Sequence, residues 1–149
     1  MHSRDIINKY ISLLINKMIY LLMGSSILFV IPAIYALFNE LYIISSIISI
    51  CSIISFIFWS NPENKELRNL DITFARLCFT YMFIHGLIYY DFSNSAEVLF
   101  TFILLFLVLH SFIGSYYFYG NNNIWIFYHC FFHINCTLLK SLVIKNILL

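Results

Sequence analysis

Five apolar runs, each about 20 residues long, follow one another along this chain with only short polar breaks between them. As a helix, a run of that length spans the ~30 Å hydrocarbon core of a bilayer. Lipid offers no water to satisfy backbone N–H and C=O groups, and a helix satisfies them within a single segment. The runs therefore predict an all-α, multi-pass transmembrane helix bundle. They cover residues 18–38, 41–59, 71–90, 98–119 and 124–144. Gly24 and Pro32 fall inside the first run, and membrane helices tolerate both.

Composition argues against other classes. Of the 149 residues, 62% are hydrophobic and 10% are charged, too little charge to clothe a soluble domain. A net charge of +1 and the lack of a glycine-rich phosphate loop argue against nucleic acid and nucleotides as partners. The expected partner is the lipid bilayer. Cys51, Cys78, Cys130 and Cys136 all lie inside apolar runs, so no disulfide framework is expected. Asn135-Cys136-Thr137 matches a glycosylation sequon but sits in an apolar run, out of reach of the glycosylation machinery.

The breaks are hairpins. Asn39-Glu40, Asp91 to Glu97 and Gly120 to Asn123 are short enough to make successive helices antiparallel neighbours. Ser60 to Leu70 is the longest break. There Asn61 can cap a helix, Pro62 suits its first position, and Glu63 and Glu66 complement its dipole. The third helix is thus expected to begin near Pro62, outside the membrane. Residues 1–17 place Arg4, Asp5, Asn8, Lys9, Ser12 and Asn16 on one helical face and Ile6, Ile7, Tyr10, Leu13 and Leu14 on the other. This reads as an amphipathic helix lying at the interface, ahead of a single bundle over residues 18–149. A cleaved signal peptide is the alternative.

Arg4, Lys9 and Lys17 before the first span, with Lys65 and Arg68 after the second, put the N-terminus on the cytoplasmic side. Lys140 and Lys145 then fall on the opposite side. Snorkelling to the interface would accommodate them.

Polar residues at membrane depth are costly, so each is a candidate for function. Ser45, Ser49 and Ser52 share one face of the second helix, with Ser55 at its edge, a pattern that suits close packing through small residues. On the third helix Asp71, Ala75, Cys78, Met82, His85 and Tyr89 form a stripe toward the interior, with Arg76 on the opposite face. The fifth carries Trp125, His129, His133, Cys136 and Lys140 on one face. His129 and His133 are one turn apart, a spacing at which two imidazoles can grip one metal ion. They can equally bond to hydroxyls of neighbouring helices. His110 on the fourth helix and His133 lie at the same depth, about 13–14 Å from one membrane face. His129 and Asp71 lie nearer that face. Gly114, one turn after His110, allows close helix approach.

Three segments carry a resemblance: Ser55-Phe56-Ile57-Phe58-Trp59, Asp71-Ile72-Thr73-Phe74-Ala75, and His129-Cys130-Phe131-Phe132-His133. In order and spacing they resemble the CREST superfamily of membrane hydrolases, which includes the alkaline ceramidases and adiponectin-receptor-like proteins. Members have Ser-x3-His on one helix, an Asp opening the next and His-x3-His on the last. The resemblance implies a zinc-dependent lipid amidase or esterase, with the metal on His129 and His133. Two features depart from it. Trp59 stands at the first histidine, and an indole cannot bind zinc. The family also has seven spans against five runs here.

Two readings of function follow. One is a small non-enzymatic membrane protein that packs with itself or with another membrane protein through the serine face. The other is a zinc-dependent lipid hydrolase, or a degenerate relative of one. Its site would use His129, His133 and His110 as ligands and Asp71 as the base that handles a metal-bound water.

Overall fold

The structure, a computed structural model, describes residues 18–90, 92–118 and 124–149. The interfacial helix expected over residues 1–17 and the hairpin at Gly120 to Asn123 lie outside the described residues. Within them the chain forms five helices and no strand. These are α1 (Met18–Phe38), α2 (Tyr42–Ser60), α3 (Lys65–Tyr89), α4 (Ser95–Tyr117) and α5 (Ile124–Ile147).

The helices α1 to α4 are long and apolar enough to cross a membrane. The fold is thus a multi-pass transmembrane bundle. α5 is as long as its neighbours, but His129, His133, Asn135, Lys140 and Asn146 interrupt its apolar run. The packing explains how it can be so. α5 lies against α1, α3 and α4, while α2 closes the far side by packing on α1 and α3. Most of the polar side chains of α5 are buried among those neighbours. Lipid-facing positions such as Ile27, Ile34, Ile53, Phe106 and Ile113 are large, apolar and exposed.

Local chemistry sets the ends and bends. In α1, Pro32 has no N–H to donate to the Leu28 carbonyl, which takes the Ile31 N–H at 3.1 Å instead. The Leu28 and Phe29 N–H groups close tight turns onto Ser25 and Ser26, so the helix breaks at Leu28-Phe29. α1 ends in a Schellman turn. The Leu41 N–H donates to Ala36 O at 2.9 Å and the Glu40 N–H to Leu37 O at 3.1 Å. Glu40 takes the left-handed position, with φ 62°.

The start of α3 corrects the sequence expectation. Asn64, not Asn61, caps it, accepting from the Glu66 N–H at 2.9 Å and the Leu67 N–H at 3.1 Å. The Asn61 N–H instead donates to Phe58 O and finishes α2, leaving Pro62 in the turn.

Lys145 reaches Glu97 in the first turn of α4 at 3.0 Å, and Asn146 Nδ2 reaches the same carboxylate at 3.0 Å. These bonds tie the end of α5 to the start of α4. Lys140 does not snorkel. It is buried, with Nζ 3.7 Å from the centroid of the Phe29 ring and close to the Cys51, Cys78 and Cys136 thiols. A cation over an aromatic face inside the bundle replaces the expected reach to the interface.

Candidate functional site

Several of the candidate polar residues gather toward the end of the bundle where α1, α3 and α5 begin and α2 and α4 finish. A small apolar cluster of Leu22, Phe58, Trp59 and Ile126 seals that end, flanked by Trp125.

The serines of α2 are spent within the chain. The Ser45 hydroxyl donates to Ala33 O at 2.9 Å, and Ser52 donates to Ser26 O at 2.9 Å. Ser26 Oγ and Ser55 Oγ are 3.2 Å apart. Ser49 is half-buried between them. These contacts hold α2 on α1.

The two histidines of α5 are each held by a serine from a different helix. His133 is buried, with Nδ1 2.9 Å from Ser25 Oγ on α1. The Ser25 hydroxyl is also 2.8 Å from Leu22 O and donates to it. With that proton committed, His133 donates from Nδ1 to Ser25, which leaves a lone pair on Nε2. His129 Nδ1 is 3.1 Å from Ser115 Oγ on α4. The two imidazole rings are 4.6 Å apart at 63°. His129 Nε2 is buried and has no hydrogen-bond partner.

Trp59, at the position where the Ser-x3-His pattern has its histidine, is edge-on to His129 with ring centroids 5.0 Å apart. Its Nε1 is likewise buried and unpartnered. Trp125 flanks it at 6.0 Å. Asp71 is half-buried and lies beside Ser55. Ser55, Trp59, Asp71, His129 and His133 thus lie toward one end, with Ser25 and Ser26 of α1 holding His133 and Ser55, and Ser115 of α4 holding His129.

His110 does not join them. It lies on the exposed face of α4, stacked on Phe106 at 6.0 Å and edge-on to Tyr128 at 5.6 Å. The inner stripe of α4 is Leu104, Val108, Ser111 and Gly114, and His110 falls off that stripe. Depth was matched, but rotation about the helix axis was not. Among the described residues, no three of His, Cys, Asp and Glu are grouped to hold a metal ion.

His85 is half-buried and turned back on its own helix, 3.2 Å from Tyr81 O, with its ring 4.2 Å from that of Tyr81. Ser25 and Ser115 were not singled out from sequence. The cues were present: Ser25 sits in Gly24-Ser25-Ser26 within an apolar run, and Ser115 follows Gly114. No family model, curated protein or solved structure matches this chain.

Proposed function

We propose that the chain is a non-enzymatic, partner-binding membrane protein whose histidine centre is a packing core, the degenerate form of a zinc centre. The observation that carries this reading is Trp59. Its indole lies against His129 where the resemblance would put a third imidazole, and it offers an N–H donor but no ligand. The imidazoles accordingly serve as hydrogen-bonded struts, joining α5 to α1 through Ser25 and to α4 through Ser115.

The zinc-hydrolase reading requires His110 to turn inward past Tyr128. The Tyr128 ring already fills the space beside Gly114 one turn on, so there is little room for that movement.

Metal analysis of detergent-purified protein separates the two. The unmodified chain is expected to hold well under one zinc per chain, whereas Trp59→His, which completes a set of three imidazoles, is expected to approach one. Near-stoichiometric zinc in the unmodified chain, lost on His110→Ala, overturns the proposal in favour of the hydrolase.

A further inference from the structure

α3 is the span least buried by the rest of the bundle, with 11% of its apolar window enclosed against 44% for α2. Only Cys78 and Met82 on it are fully buried. Its outer face carries Thr73, Arg76, Leu77, Thr80, Ile84 and Leu87 at helical spacing, all exposed. Arg76 sets this face apart from an ordinary lipid-facing surface.

The level of Arg76 in the membrane follows from its neighbours. Cys51 is the central residue of α2 (Tyr42–Ser60), and its thiol contacts that of Cys78, in the same buried cluster. Cys78 therefore marks the middle of the bundle. Arg76 lies two residues away, roughly 3 Å along the axis. An exposed guanidinium at mid-bilayer is strongly disfavoured unless a counter-charge covers it.

The chain does not supply one among the described residues. Its one ion pair there joins Lys145 to Glu97. Glu40, Glu63, Glu66 and Glu97 stand at helix ends, and Asp71 lies beside Ser55, five residues and roughly 7 Å along the axis from Arg76. A second copy packed in parallel on the same face would bring another Arg76 and no free carboxylate to this level. Beside the stripe, a cavity of about 410 Å³ opens between α2 and α3, lined by Ile47, Ile50, Phe74, Leu77, Thr80 and Ile84. It gives the surface a groove in which a helix can lie.

We propose that the outer face of α3, with the groove toward α2, receives a transmembrane helix of a different protein that carries an aspartate or glutamate near its midpoint. The carboxylate pairs with Arg76, and the Thr80 hydroxyl, one turn on, donates to a remaining lone pair. A fork-shaped donor set suits a planar carboxylate better than an ammonium would. This inference rests on the partner-binding reading above and names the face and the chemistry of the partner.

The test uses the full chain in phosphatidylcholine liposomes, labelled at its C-terminus with a donor fluorophore. The probes are two acceptor-labelled single-span peptides of Leu and Ala, one with a central Asp and one with Leu in its place. A central acid presents the same depth in either orientation. Energy transfer to the Asp peptide is expected at a tenfold or greater lower peptide-to-lipid ratio than to the Leu peptide. The preference should vanish in Arg76→Leu and persist largely in Arg76→Lys. Arg76 is exposed, so both variants should keep the unfolding midpoint of the parent. Equal transfer to both peptides overturns the proposal, as does undiminished pairing in Arg76→Leu. Arg76-dependent association of the chain with itself, without peptide, also overturns it. The zinc content of the same preparation tests the non-enzymatic reading separately, so the two can fail independently.

Discussion

Single residues carry much of the local detail. Glu40 is held in the left-handed region, φ 62°, to complete the Schellman turn between α1 and α2. A side chain there crowds the following carbonyl, at a cost of about 1–2 kcal/mol that glycine escapes. Glu40→Gly should therefore stabilise the bundle by about 1 kcal/mol, read as a higher midpoint in denaturant titration of the detergent-solubilised protein. A lower midpoint would show that the Glu40 side chain contributes more than its backbone costs. The hairpin itself was legible in Asn39-Glu40, but which residue would bear the positive φ was not. Polarity marked His129 and His133 as important, yet their serine partners belong to α1 and α4, and no spacing within α5 points to them.

At the scale of helices, the closest approach is between α4 and α5. A Cβ added at Gly114 would overlap the Tyr128 ring, with no slack for a methyl group. Gly114→Ala should force the helices apart and cost about 1–3 kcal/mol, seen as a drop in thermal unfolding midpoint. Combining it with Tyr128→Ala tests the mechanism. The two losses should be far from additive if the ring and the methyl compete for one space. Gly114 was read from the sequence as a point of close approach, but in the service of His110. Length and apolarity located α1 to α4 to within a few residues at most ends, since those properties are local. Helix rotation is set by what the neighbours offer, which is why His110 came out at the expected depth but on the outer face. The capping of α3 by Asn64 was missed for a related reason. Asn61 and Asn64 are equally able caps, and the turn that closes α2 claims the first.

In the whole molecule, the polar residues sort by position. Those near one end form a network of serines and histidines, Lys140 lies over Phe29 near the middle, and Arg76 stands at mid-level on the outside. The architecture follows from giving the histidines, asparagines and buried lysine of α5 three neighbours to hide behind. That arrangement has a consequence for how the chain is made. Nascent helices leave the translocon one after another, each partitioning into lipid by its own hydrophobicity. α5, with two histidines, two asparagines and a buried lysine, is a poor candidate to partition unaided. The helices that shelter it are made before it. Placed alone behind a soluble carrier, Ile124–Ile147 should largely fail to insert in microsomes, by protease protection. After α1 to α4 it should insert. Equal insertion in both contexts would show that α5 needs no help. Otherwise biogenesis of this protein is conditional: α5 enters the bilayer only once its binding site there has been assembled.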